Sequence, residues 1–176
     1  MNGQAEGGSG AGAACRYGLE AALIGAIVIA DQATKALVRG EIPLHDSVTI
    51  IPGVFNLVHV RNTGAAFGFL NGVEFPYKAT VVALVATAAL IGIALYAARE
   101  SSHERLARIG LALILGGAIG NLVDRLFVGS VVDFIDVVFG SWHFWAFNVA
   151  DSAITLGVAA MLVDMIGMGR HVPTTS

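Results

Sequence analysis

The chain has 176 residues, 56% of them hydrophobic and only 13% charged, with a mean hydropathy of +0.74. A soluble domain of this length does not hide so much apolar surface, so the composition belongs to the membrane class. The net charge of −3 without a basic run argues against a nucleic-acid partner, and the single cysteine, Cys15, excludes an intrachain disulfide and any cysteine-based metal cluster.

Residues 1–15 form a Gly/Ala/Ser-rich head, predicted to be disordered. Four apolar stretches follow, at about 17–38, 77–98, 106–123 and 149–168, each near the 17–25 residues that span a bilayer. In the first, residues 21–30 resemble a secretory h-region and Val28-Ile29-Ala30 a cleavage site. The preceding segment carries only Arg16, and apolar character resumes at Ala36-Leu37-Val38, so a retained helix is expected. The fold class expected is an all-α membrane protein, a single domain over residues 16–170 with a tail at 171–176.

Four spans put both termini on one side. Arg99, Arg105 and Arg108 crowd the short linker between spans two and three, and Arg16 and Arg170 flank the outer spans. Lys35, Arg39, Arg61, Lys78 and Arg125 are spread over longer segments on the other side. The density in the short linker predicts cytoplasmic termini.

Two outer segments are too short to cross. Ser47-Val48-Thr49-Ile50-Ile51, a Pro52-Gly53 turn and Val54-Phe55-Asn56-Leu57-Val58-His59-Val60 predict a hairpin from their β-branched content. Residues 125–147, with Trp142, Phe144 and Trp145, suggest a piece lying at the membrane interface, where Trp is enriched.

The candidate chemistry starts from a repeated Asn-x-x-Asp pattern, Asn121-Leu-Val-Asp124 closing span three and Asn148-Val-Ala-Asp151 opening span four. Ionisable groups at membrane depth are costly and point to function. If spans three and four pack antiparallel, Asp124 and Asp151 face each other at one depth. Gly116, Gly117 and Gly120 supply a small face for that packing. Two close carboxyls share one proton, so one activates water while the other donates to a carbonyl oxygen. The competing reading of Asp151 is a capping box with Asn148. For Asp124 it is a pair with Arg125.

Asp31 and Lys35, spaced i, i+4, predict a salt bridge. Asn62, in a turn-rich segment, has donors and an acceptor for a substrate backbone. Asp133 and Asp136 stand among apolar residues and are expected to be solvated or bonded to backbone. The histidines are scattered without metal-ligand spacing, so no metal or other cofactor is expected.

At these residues the chain resembles lipoprotein signal peptidase, signal peptidase II. The matching pieces, in the family's order, are Asp31-Gln32-Ala33-Thr34-Lys35, Arg61-Asn62-Thr63-Gly64-Ala65-Ala66-Phe67, Gly116-Gly117-Ala118-Ile119-Gly120-Asn121-Leu122-Val123-Asp124-Arg125, Val131-Val132-Asp133-Phe134 and Phe147-Asn148-Val149-Ala150-Asp151-Ser152. The resemblance implies four membrane helices, a small extracytoplasmic β-cradle and a short interfacial helix. It implies an aspartyl endopeptidase of the bacterial cytoplasmic membrane that cleaves diacylglyceryl-modified prolipoproteins before the lipidated cysteine. It maps catalysis onto Asp124 and Asp151, and dyad support onto Asn62, Asn121, Arg125 and Asn148. Asp31, Lys35 and Asp133 remain structural polar residues in this reading. Expected partners are the prolipoprotein, membrane lipid and a globomycin-type cyclic peptide inhibitor, and the active site is expected at the outer face. The alternatives are a proton-coupled transporter or channel subunit and a non-catalytic assembly factor. Asp164 is the one acidic group deep in spans two and four, which disfavours a continuous proton relay.

Overall fold

The computed structural model describes residues 8–64, 77–99 and 105–168. Its elements are α1 (Gly8–Glu41), β1 (Ser47–Ile51), β2 (Phe55–Asn62), α2 (Lys78–Arg99), α3 (Arg105–Phe127), β3 (Val131–Phe139), β4 (Trp142–His143) and α4 (Val149–Met168). The molecule is mostly helical with one small sheet.

Among the described residues, three helices are long and apolar enough to cross a bilayer: Gly18–Glu41 of α1, all of α3, and Val149–Ile166 of α4. The apolar run of α2, Thr80–Tyr96, is shorter. Large apolar side chains such as Ile29, Leu84, Val85, Leu156 and Val163 point outward, as expected where the surroundings are lipid. Helix α1 begins at Gly8, inside the head whose composition predicts disorder. Ala11, Ala13 and Ala14 there are strong helix formers, and no proline stands between them and the apolar part of α1. Residues 1–7 and the tail at 171–176 lie outside the described residues.

Helix α3 is the centre of the bundle and has two small faces. Toward α4, a Cβ on Gly110 would stand 2.8 Å from the Gly157 carbonyl oxygen, and one on Gly117 would collide with that of Ala150. Gly110 opposite Gly157 and Gly117 opposite Ala150 make the two helices antiparallel, as the sequence predicts. Toward α1, Gly116 lies against Ile27, and a Cβ on Gly120 would stand 2.7 Å from Asp31 Oδ2. The glycine cluster expected to serve α4 is thus divided between two neighbours, with Gly116 and Gly120 turned mainly to α1.

The sheet runs β1-β2-β3-β4, antiparallel throughout. The predicted hairpin is β1–β2. Residues 125–147, expected as a piece lying at the interface, form the end of α3, then β3 and β4. Val131-Val132-Asp133-Phe134-Ile135-Asp136-Val137-Val138 is dominated by β-branched side chains, which fit a pleated strand better than a helix. α3 hands over to β3 through Gly129, whose φ of 78° is left-handed. The Asp124 carbonyl accepts from the Val128 and Gly129 amides at 2.8 and 3.1 Å, closing the helix. Val132 and Phe134 of β3 then pack with Val38 of α1 and Ile42 just beyond its end, fixing the sheet on the end of the bundle.

Candidate active site

Two groups of carboxylates lie where the helices meet the sheet. The first is sealed. Lys35 and Asp31 are 0% exposed and Asp124 is 1% exposed. Lys35 Nζ lies 2.8 Å from Asp31 Oδ2 and 3.0 Å from Asp124 Oδ2, and Arg39 Nη1 stands 3.6 Å from Asp124 Oδ1. Gln32 Nε2 donates to Asp124 Oδ1 at 3.3 Å, and the Val132 amide donates to Asp124 Oδ2 at 3.2 Å. Asp31 Oδ1 also accepts the Ala150 amide at 3.0 Å, one of the free N–H groups at the start of α4. These ties lock α1, α3, α4 and β3 together.

The second group is open. Asp133 and Asp151 line a cavity of ≈ 620 Å³, with Asn62, Asn121, Arg125, Phe144, Trp145 and Phe147 among its other walls. Strand register supplies Asp133: Val60 opposes it and Asn62 opposes Val131, so Asn62 is its diagonal neighbour on one face. Asn62 Nδ2 donates to Asp133 Oδ2 at 3.1 Å. The α4 cap supplies Asp151. The Asp151 amide donates to Asn148 Oδ1 at 2.9 Å, and the Asn148 amide donates back to Asp151 Oδ2 at 3.3 Å, which is the predicted capping box.

Three amides hold this pair. Asn148, fully buried, gives its Nδ2 to Asp133 Oδ1 at 2.7 Å and its backbone amide to Asp151 Oδ2, so one residue grips both carboxylates. Asn121 Nδ2 donates to Asp151 Oδ1 at 2.8 Å. Asn121 Oδ1 accepts from Lys35 Nζ at 3.0 Å, so the buried cation fixes which end of that amide faces Asp151. Arg125 donates from Nη1 to the Asn121 carbonyl at 3.2 Å and from Nη2 to the Gly64 carbonyl at 3.3 Å, holding the end of β2 against α3. Burial and the nearby Asp151 carboxylate push the Asp133 carboxyl up to about 7, against the pull of its bonds from Asn62 and Asn148. A carboxyl that keeps its proton near neutrality beside a second carboxyl, in a cavity with an apolar wall, is equipped for acid–base hydrolysis.

Comparison with known proteins agrees with that chemistry. The family model for signal peptidase (SPase) II matches residues 23–167. A lipoprotein signal peptidase of Maridesulfovibrio salexigens is 48% identical over 139 residues, covering 78% of this chain and 88% of the relative. That of Solibacter usitatus is 41% identical over 160 residues, covering 91% and 95%. A solved bacterial membrane enzyme, determined in meso at 2.3 Å resolution, superposes with a TM-score of 0.79 at 31% identity, covering 90% of this chain and 94% of that one. The chain belongs to the signal peptidase II family. It is therefore a hydrolase of the aspartic peptidase kind, and a multi-pass protein of the bacterial inner membrane.

Within this peptidase the sequence-predicted residues divide unevenly. Asn62, Asn121, Arg125 and Asn148 all surround one cavity or its carboxylates. Asp151 is there too. Asp124 is not. It does not line the cavity, and its oxygens are taken up by Lys35, Arg39, Gln32 and the Val132 amide. The cations that meet it are Lys35 and Arg39 of α1, where the sequence suggested its neighbour Arg125. The carboxylate facing Asp151 across the cavity is Asp133, which the sequence reading kept as a structural polar residue. Its signal was present: a lone acid between Val132 and Phe134, whose apolar side chains are turned into the core, belongs by strand alternation to the opposite face. Asp31 and Lys35 form the predicted salt bridge, buried rather than at the surface. Phe144 and Trp145 prove to be cavity wall.

Proposed function

We propose that this peptidase removes the signal peptide from diacylglyceryl-modified prolipoproteins, using Asp133 and Asp151 as its catalytic pair. The observation that carries the pair is the shared cavity, with Asn148 bonded to both residues. Asp133 holds a proton and donates it to the oxygen of the scissile carbonyl. Asp151 takes a proton from water, and the hydroxide adds to the carbonyl carbon. On collapse of the tetrahedral intermediate the proton on Asp151 passes to the leaving amine, the C–N bond breaks, and Asp133 recovers its own. Asn62, Asn121 and Asn148 keep both carboxyls oriented throughout.

The substrate fits the setting. A signal peptide's apolar segment and two acyl chains both partition into lipid, so the bond to be cut arrives laterally, near the depth of the headgroups. α2 is read here as the fourth span, with the termini cytoplasmic and the cavity toward the outer face. A globomycin-type cyclic peptide would compete for the same cavity.

The test follows signal-peptide release from a diacylglyceryl-modified prolipoprotein by the purified peptidase. Asp133→Asn and Asp151→Asn, at matched folded amounts, are each expected to lose about 10²–10⁴-fold in turnover. Normal cleavage by Asp133→Asn would sink the pair. Flux of protons through reconstituted vesicles without cleavage would favour the transporter reading instead.

A further inference from the structure

Asp136 is a second acid on β3, three residues past Asp133, buried at the sheet and unused by the chemistry above. Its Oδ2 accepts from Asn56 Nδ2 of β2 at 2.9 Å, where Asn56 and Asp136 are register partners. Its two oxygens also face His143 Nδ1 of β4 at 2.9 and 3.1 Å. His143 is otherwise an exposed residue on a strand of two residues, and two ladder pairs give β4 little hold of its own.

Directly after His143 the chain becomes the apolar wall of the cavity. Phe144, Trp145 and Phe147 line it, and they lean on one another edge to face, with Phe144 5.9 Å from Trp142, 6.3 Å from Trp145 and 5.9 Å from Phe147. At its far end the wall is fastened to β3 by the bridge between Ile135 and Phe147. At its near end it has the short β4 ladder, the bond from the Phe144 amide to the Val137 carbonyl, and the side chain of His143.

We propose that Asn56, Asp136 and His143 form a clasp that positions the aromatic wall, and that His143 is thereby a positioning residue for the apolar part of the substrate. This rests on the peptidase reading above. The clasp touches neither carboxylate of the pair, so loosening it changes how well substrate is held and leaves the chemical step in place. That is the pattern of lost uniform binding, a raised KM with kcat retained.

The protein supplies its own reporter. Its two tryptophans, Trp142 and Trp145, both lie in or beside the wall, so tryptophan emission reads that segment alone. The experiment measures cleavage kinetics on diacylglyceryl-modified prolipoprotein, together with acrylamide quenching of tryptophan, for wild type, His143→Ala and His143→Gln. His143→Ala is expected to raise KM about two- to fivefold at nearly unchanged kcat, the size of one exposed side-chain hydrogen bond, and to increase quenching. His143→Gln, which keeps a donor for Asp136, is expected to recover most of both. A KM and quenching equal to wild type in His143→Ala would overturn the clasp, as would a loss confined to kcat. If wild type itself cleaves nothing, the peptidase reading has failed instead. Should Asp136→Ala fail to fold, the two His143 variants still decide the matter, because their site is exposed.

Discussion

The two carboxylate groups differ less in residue type than in company. Asp31 and Asp124 sit with two cations, Lys35 and Arg39, and are not among the residues that line the cavity described above. Asp133 and Asp151 sit with asparagines and an open volume. A carboxylate tied to a cation in a closed interior serves to bind helices together. Asp133, held by Asn62 and Asn148 with Asp151 nearby, has its carboxyl pushed up and stands beside room for a substrate. The two groups are only one amide apart, since Asn121 takes Lys35 on its oxygen and gives its nitrogen to Asp151. The sealed cluster thus serves as a fixed backing for the reactive one.

The widest gap between the groups is expected when each is neutralised. Asparagine at Asp133 or Asp151 removes turnover and leaves the fold, as above. Replacing Lys35 by Met leaves Asp31 and Asp124 buried without their shared cation, and removal of one partner of a buried pair costs about 3–5 kcal/mol. That variant is expected to fall sharply in thermal midpoint in detergent. Adding Asp124→Asn to Lys35→Met should restore part of the loss, because one stranded charge is gone. A double variant no more stable than Lys35→Met alone would mean that the ion cluster is not what holds α1 to α3.

Next in size is the backbone contact that sets the depth of Asp151. A Cβ at Gly117 would run into the Ala150 carbonyl, which is backbone and has nowhere to yield except by parting α3 from α4. Overpacking of this kind costs about 1–3 kcal/mol. Since Ala150 adjoins Asp151, Gly117→Ala is expected to lower both the thermal midpoint and kcat. Gly92→Ala, with open space around the added methyl, should do neither. Equal midpoints for the two variants would show that α3 and α4 are not in close contact there.

Much of this architecture was readable from residues. The apolar runs, the hairpin around Pro52-Gly53, the Asp31–Lys35 bridge and the Asn148–Asp151 cap all rest on local patterns, and each recurs in the structure. The geometry departs from the sequence expectation at Asp124, which lies among Lys35, Arg39 and Gln32 rather than on the cavity wall. The repeated Asn-x-x-Asp pattern treats Asp124 and Asp151 as equivalents, and no local rule says that Lys35 and Arg39, some ninety residues earlier, will close on Asp124. The same pattern hides Asp133, whose partners Asn62 and Asn148 lie on β2 and at the cap of α4. The aromatic end of this segment suggests only a piece lying at the interface, whereas the run of valines beside Asp133 favours a strand.

The finest distinction between the two groups is how they respond to pH. Asp133 has its carboxyl raised to about 7 by burial and by Asp151, against about 3.9 in an unfolded chain. A raised carboxyl binds its proton more tightly when folded, so its contribution to stability is complete below about 3.9 and is lost as pH rises through about 7. Asp133→Asn, which stays neutral, escapes that loss. The midpoint of Asp133→Asn relative to wild type is therefore expected to climb between pH 4 and pH 8, and a single pKa unit, about 1.4 kcal/mol, is enough to see it. Cleavage by wild type should decline over the upper part of the same range, because Asp133 then has no proton to give the carbonyl oxygen. If the midpoint difference stays flat while cleavage still declines, the group that titrates is not Asp133, and the acid in the mechanism belongs elsewhere in the cavity.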